Sequence, residues 1–122
     1  MARYVDGFVI PVPKKNLKAY QKMAAKAGKL WLKHGAMEYF EFAGDDVPPG
    51  KWTSFSKSVK QKPGETVVFS YITFKSRAHR DRVNKKVLQE PWIKEMDPAS
   101  MPFDMRRLMW GGFRSIVAMV AK

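Results

Sequence analysis

The sequence predicts a single α+β domain, residues 1–122, in which four strands form one antiparallel sheet and two helices lie on one of its faces. Two observations predict this class. Apolar and aromatic residues recur with a period of two in four stretches and with a helical period in two others, in the order strand, helix, strand, strand, helix, strand. In addition, 122 residues with 45% hydrophobic and 28% charged side chains suffice to bury one core.

The first strand and the first helix occupy the amino-terminal 35 residues. The segment RYVDGFVIPVP, residues 3–13, is a predicted strand with an Asp-Gly pair inside it. Residues 14–35 are the clearest helix, because apolar side chains recur on one side and Gly35 supplies an end. The opposite side, an arc of about 80°, carries a set that we name the lysine stripe: Lys15, Lys18, Lys22, Lys26, Lys29 and Lys33.

The middle of the chain predicts the second and third strands. Residues 36–44, AMEYFEFAG, alternate aromatic side chains, and a loop at 45–51 follows. Residues 52–60 are a predicted short extra strand, and 61–65 are a turn. Residues 66–74, TVVFSYITF, are the strongest strand because they combine β-branched and aromatic side chains.

The last third predicts a helix and a long strand. Residues 75–90 have a helical apolar period, and residues 91–104 are irregular or a short helical turn. Residues 106–120 are a predicted final strand, in which the Gly111-Gly112 pair indicates a bulge, tight packing in the dimer or a close approach of a ligand to the backbone.

This order of elements is that of the ferredoxin-like βαββαβ fold, and it leaves one face of the sheet without helices. The strands are nevertheless apolar on both faces, since Val9 alternates with Phe8 and Ile10. The uncovered face would be an apolar patch of several hundred Å², larger than monomers usually expose. We therefore predict a homodimer that packs sheet to sheet and buries about 800 Å² per partner.

Composition favours some classes of protein and argues against others. The 23 basic and 11 acidic residues give a net charge of +12, which draws a protein to polyanions. No run of 18 apolar residues and no signal-peptide pattern is present, so we expect no membrane span and a cytoplasmic location. The absence of cysteine excludes disulfides and thiolate metal sites. No phosphate-loop, Rossmann or HExxH motif occurs, so no cofactor and no metal are predicted.

Four segments carry a resemblance to a known family. YVDGFVIPVP, DDVPPGK, VVFSYI and MPFD…WGGF, in this order, strongly resemble the YbaA-like bacterial family, domain of unknown function fourteen twenty-eight. The resemblance runs from about residue 3 to residue 118 and implies a ferredoxin-like protomer of the dimeric α/β-barrel type, without an established activity. The chain departs from the family at residues 103–107, where FDMRR replaces the frequent FDGKR and makes a tight turn with positive φ less expected. Its charge of +12 also departs from the near-neutral or acidic members, which marks the basicity as this member's own property.

Several polar residues are candidates for a small-molecule pocket between sheet and helices, with catalysis left open. A carboxylate at position 6, inside an apolar strand, needs donors. It is therefore either a general base or ligand-orienting group, or a structural partner of a basic side chain or a backbone amide. His34 and Glu38 are a proton-transferring pair, two metal ligands for which no third ligand has a convincing spacing, or a helix-terminal histidine and an unrelated strand residue. The complete set of candidates is Asp6, His34, Glu38, Tyr71, Arg80 and Trp110.

The remaining candidates also have two interpretations. His79 and Arg80 would hold an anion at the start of the second helix, or lie at the edge of the core. Tyr71 and Trp110 would line a pocket or simply fill the core. The lysine stripe is the alternative site, for RNA or DNA, although the sequence lacks an RNP motif and a solvated helix face explains the pattern as well.

Overall fold

The computed structural model describes residues 2–122, which form four strands and four α-helices joined by turns and three 3₁₀ turns. The strands are β1 (Tyr4–Pro13), β2 (Glu38–Ala43), β3 (Glu65–Phe74) and β4 (Met109–Arg114). The helices are α1 (Leu17–Lys33), α2 (Phe55–Ser58), α3 (Arg77–Val87) and α4 (Pro91–Lys94), and the 3₁₀ turns are Lys14–Asn16, Pro98–Ser100 and Met105–Arg107.

The four strands form one antiparallel sheet with the order β2-β3-β1-β4, so β1 and β3 are its central strands. The long helices α1 and α3 each follow a central strand in the chain. The predicted ferredoxin-like α+β fold is confirmed, and the shorter α2 and α4 are additions to it.

Two segments differ from their prediction. Residues 52–60 are not a strand: they contain α2, which the Ser54 hydroxyl caps by accepting a hydrogen bond from the Lys57 amide at 3.1 Å. The predicted strand 106–120 is too long. Because β4 lies at the sheet edge and pairs with β1, it ends at Arg114, opposite Tyr4, where β1 begins.

The core lies between the sheet and the two long helices. Side chains alternate along each strand, so every second residue faces α1 and α3. Ile10 and Val68 pack against Tyr20 of α1, and Phe74 packs against Val83 of α3. These contacts fix the position of both helices over the sheet.

The glycine pair of β4 lies inside the sheet without a bulge. Gly111 and Gly112 pair in register with Gly7 and Asp6 of β1. A Cβ atom at Gly112 would lie 2.9 Å from Cε2 of Tyr4, so the missing side chain permits this aromatic ring to pack on the strand. The predicted bulge is therefore not present at this pair.

The other face of the sheet, which we call the open face, is apolar and mostly uncovered. One end of this face is covered, because Val59, which follows α2, packs on Val9 and Val67. Beyond that end, a group of aromatic rings on β2 and β3 has centroids 5.4–6.2 Å apart. The exposed side chains of the open face, with exposed fractions of 41–60%, are Phe40, Phe42, Phe69, Met109 and Phe113.

An ion pair anchors the turn before β4 to the start of β3. Arg107 donates from Nη1 and Nη2 to Oε1 and Oε2 of Glu65, at 2.8 and 2.6 Å. The carboxylate is buried, and its Oε1 also accepts a hydrogen bond from the Lys62 amide at 2.7 Å. These hydrogen bonds, from Arg107 above all, hold the pKa of Glu65 below its ordinary value of 4.5.

We expect Glu65→Gln to lower the free energy of unfolding by about 2 kcal/mol at pH 7. The lowered pKa means that the unfolded state takes up the proton first as pH falls. The stabilisation is therefore present above pH 4.5 and lost as pH falls through the folded-state pKa. Urea unfolding should thus show a difference in the free energy of unfolding between wild type and variant that is smaller at about pH 3.5 than at about pH 7. Glu95→Gln, at an exposed glutamate, is the control, and a difference that stays constant would contradict the assignment.

Candidate functional site

A cavity of about 210 Å³ lies between α1 and the helix-facing side of the sheet. Its walls are apolar for the most part, with contributions from β1, β2, β3, α1, α4 and the segment before β4. Four methionines give it flexible, polarisable walls: Met23, Met96, Met101 and Met105. The cavity is therefore shaped for an apolar body.

One polar cluster lies in the cavity wall, which we call the Glu41 cluster. The carboxylate of Glu41 accepts a hydrogen bond at Oε1 from the Tyr20 hydroxyl, at 2.7 Å, and at Oε2 from the Tyr39 hydroxyl, at 2.8 Å. Burial raises the pKa of both tyrosines above the ordinary value of 10, and the negative charge of Glu41 raises it further. Both phenols therefore remain protonated and act as donors.

The local sequence explains why these three side chains meet. Tyr39 and Glu41 are two residues apart on β2 and so project from the same side of the sheet. Tyr20 lies on the buried side of α1 above them. Gly28 of α1 leaves room for the Tyr39 ring, since a Cβ atom there would lie 2.7 Å from its Cδ1.

The Glu41 cluster also borders a second cavity of about 270 Å³. That cavity lies towards the amino-terminal end of α1 and is lined by Leu17, Gln21 and the same tyrosines. The Glu41 cluster thus lies between the two cavities and borders both of them.

Asp6 and Arg80 form a buried network outside the 210 Å³ cavity. Arg80 donates from Nη1 to Oδ1 of Asp6 at 2.8 Å and from Nη2 to the Tyr4 hydroxyl at 3.2 Å. Asn84 donates to Oδ2 of Asp6 at 3.3 Å and accepts from the Trp31 indole at 3.0 Å. Burial raises the pKa of Asp6, although the charge of Arg80 opposes this shift. The arrangement matches the structural interpretation of Asp6.

His34 and Glu38 are not brought together. The Nε2 atom of His34, at the end of α1, lies 2.6 Å from a carboxylate oxygen of Glu90. Glu38 accepts a hydrogen bond from the Thr73 hydroxyl at 3.0 Å. Lys33 and then His34 hold the pKa of Glu90 below its ordinary value of 4.5. The proton-transferring pair is therefore not formed in this structure.

The two aromatic candidates, Tyr71 and Trp110, lie on different faces of the sheet. The ring of Tyr71 belongs to the open face, among Phe40, Phe42 and Phe69, and the residue also borders the 210 Å³ cavity. Trp110 stacks on Phe8 with a centroid distance of 6.5 Å and stays 63% exposed at the sheet edge. Of the six candidates, all within the described residues, Tyr71 alone contributes to the cavity.

Sequence reasoning missed Tyr20, Tyr39 and Glu41. The signal was present, because Tyr39 and Glu41 alternate with the more apolar Phe40 and Phe42 on β2. A carboxylate on the helix-facing side of a strand requires donors, and Tyr20 on the buried side of the first helix was available.

The lysine stripe is solvent-exposed along its whole length. Lys33 makes an ion pair with Glu90 at 2.9 Å, and the Lys26 ammonium lies 4.6 Å from the centre of the Trp92 ring. A solvated face accounts for these positions, and nucleic-acid binding by the stripe stays a prediction.

The described part of the chain contains neither a candidate metal cluster nor a helix suited to cross a membrane. Within residues 2–122, no group of three or more His, Asp or Glu side chains is close enough to hold a metal ion. No helix in that part of the chain combines the length and the apolarity that crossing a bilayer requires.

Comparison with known proteins gives matches over nearly the full chain. Residues 3–105 match the family described as "Protein of unknown function (DUF1428)". "Uncharacterized protein YbaA" of Escherichia coli K12 is 46% identical over 115 residues, which cover 94% of this chain and 97% of that protein, and the protein of the same name from Shigella flexneri gives the same values.

A solved structure supports the fold. The crystal structure of a dimeric ferredoxin-like protein from an uncultured marine organism superposes with a TM-score of 0.59 at 13% sequence identity. The superposition covers 99% of this chain and 100% of that one. At this level of identity the likeness concerns the fold alone.

Proposed function

The chain belongs to the DUF1428 family of proteins of unknown function, and from that premise we propose that it forms a homodimer through the open face and binds one small apolar molecule per protomer in the 210 Å³ cavity. Two features of the protomer support the proposal: the uncovered aromatic surface and the cavity.

The open face supports the homodimer. Its aromatic side chains stay about half exposed in the protomer, which costs free energy unless a second surface covers them. A two-fold packing of the same face on itself covers them in both copies at once. The solved ferredoxin-like neighbour is itself described as dimeric, which agrees with this arrangement.

The cavity is the single observation that carries the binding function. A dry apolar cavity of about 150 Å³ accepts benzene, so a space of about 210 Å³ accommodates a ligand of slightly larger size. Apolar walls with a few convergent polar groups are typical of ligand sites. The Glu41 cluster provides those polar groups here.

The lining favours binding over covalent chemistry. Among the described residues, no His and no Lys lines the cavity, and the chain has no cysteine. The tyrosines of the cluster are held protonated and so do not act as bases. We therefore propose a binding protein, and no reaction is assigned to the site.

Titration with hexan-1-ol tests the proposal, because this neutral molecule is apolar and fits the cavity. We expect saturable binding by calorimetry and shifts of methionine methyl signals in NMR spectra. Ala27→Leu adds three carbon atoms at a position that lines the cavity, and we expect it to weaken binding about tenfold or more.

Ala19→Leu is the matched control, since Ala19 is an exposed alanine on the same helix. It should leave hexanol binding unchanged. Equal affinities for wild type and a folded Ala27→Leu variant would show that hexanol binds elsewhere, and no binding to wild type would remove the proposed ligand site.

A further inference from the structure

The charge inside the cavity has the opposite sign to the charge of the protein. Among the described residues that line the cavity, Glu41 is the only ionisable acid or base apart from the tyrosines, in a chain of net charge +12. Within residues 2–122, no Lys, Arg or His nitrogen lies within 4.0 Å of its carboxylate. The anionic group in this wall therefore has no cationic partner from the protein.

The two tyrosine hydroxyl groups satisfy Glu41 only in part. A carboxylate offers about four acceptor positions, and the Tyr20 and Tyr39 hydroxyls occupy one on each oxygen. Neutral donors also leave the negative charge itself uncompensated. A cationic donor from a ligand would add a charge-assisted hydrogen bond, which is shorter and stronger than a bond between neutral groups.

Aromatic rings near the carboxylate provide a second attraction for a cation. The Tyr39 ring lies 6.1 Å from the Trp31 ring, and the Tyr20 ring lies 5.5 Å from the Phe103 ring, all four in the cavity wall. The Trp31 indole N–H is already bound to Asn84, so this residue offers its ring rather than a donor. Rings of this kind attract ammonium groups through their electron-rich faces.

We propose that the cavity selects an organic ammonium ion with a short apolar body, whose ammonium group is bound by Glu41 and the surrounding aromatic rings and whose hydrocarbon part lies among the methionines. This inference rests on the proposed ligand site and adds the chemical class of its ligand. Anionic and neutral molecules of the same shape are expected to bind more weakly.

Because of the net charge of the protein, non-specific association and binding at Glu41 predict opposite orders of affinity. A protein of charge +12 attracts anions and repels cations in solution, so non-specific association ranks hexanoate above hexan-1-ol and hexan-1-ol above hexylammonium. The carboxylate in the cavity predicts the reverse order. Calorimetric titration of wild-type protein with these three molecules at about pH 7 decides between them, and this experiment needs no variant.

We expect hexylammonium to bind about tenfold more tightly than hexan-1-ol. Glu41→Gln keeps the size of the side chain and removes its charge, so the ammonium ion should lose that advantage while hexan-1-ol still binds. Glu38→Gln is the matched control, because Glu38 lies on the same strand but on the open face. It should leave the order of affinities unchanged.

A failure of the ammonium preference and a failure of the ligand site give different results. If hexan-1-ol binds and hexylammonium binds no more tightly, the ammonium inference is overturned and the ligand site remains. If none of the three molecules binds, the ligand site itself is wrong. If Glu38→Gln abolishes the preference as fully as Glu41→Gln, the carboxylate in the cavity is not its source.

Discussion

Phe69→Lys is expected to convert the proposed homodimer into a monomer. Phe69 lies on β3 in the open face, 43% exposed in the protomer, and contacts the rings of Phe55 and Tyr71. In a two-fold interface the substitution places a charge on each copy in an apolar contact, so the dissociation constant should rise at least about 100-fold. Sedimentation at micromolar concentration should then give 14.0 kDa instead of twice that mass.

Leu88→Lys is the control for this experiment. Leu88 is 56% exposed at the end of α3, on the helix side of the sheet, so its substitution should leave the dimer intact. Phe69→Lys protein that still sediments as a dimer would place the interface on another surface. Wild-type protein that sediments as a monomer would show that the open face has no second copy to cover it.

Asp6→Ala is expected to be the most destabilising of the single substitutions considered. Its side chain is 3% exposed and that of its partner Arg80 12%, so removing the carboxylate leaves a buried guanidinium group whose one remaining ionic partner among the described residues is the exposed Asp81. Such a change costs about 3–4 kcal/mol in the free energy of unfolding. Urea denaturation monitored by circular dichroism measures it.

Asp81→Ala provides a matched control on the same arginine. Asp81 accepts a hydrogen bond from Nε of Arg80 at 2.9 Å, but its side chain is 59% exposed, so its loss should cost less than about 0.5 kcal/mol. The double variant Asp6→Ala/Arg80→Leu should regain part of the lost stability, because no buried charge remains. An Asp6→Ala protein of normal stability and reduced hexanol binding would instead give Asp6 a functional role.

The fold was predictable because hydrophobic periodicity and element order determine it together. The partner of Asp6 was not, since a basic side chain was one of several donors that the sequence allowed. Arg80 is 74 residues away, and only the packing of α3 on the sheet brings it near. Long-range partners of this kind depend on helix position, which local patterns do not contain.

The errors in the predicted strands and in the partner of His34 have physical causes that the local sequence does not contain. The β propensity of residues 106–120 is real, but a strand at a sheet edge extends only as far as its partner, and β1 starts at Tyr4. Residues 55–58 are helical because Ser54 caps this turn, and Val59, which follows it, packs on Val9. His34 contacts Glu90 rather than Glu38 because α1 ends next to the residues that follow α3.

Strand β2 separates the two surfaces on which the proposals depend. Its odd-numbered side chains, Tyr39 and Glu41, project inward, whereas Phe40 and Phe42 project outward from the same six-residue strand. As an edge strand it forms backbone hydrogen bonds with β3 on one side only. We therefore expect a ligand that contacts the inner side chains to shift Phe40 and Phe42 as well, which would couple ligand binding thermodynamically to the proposed self-association.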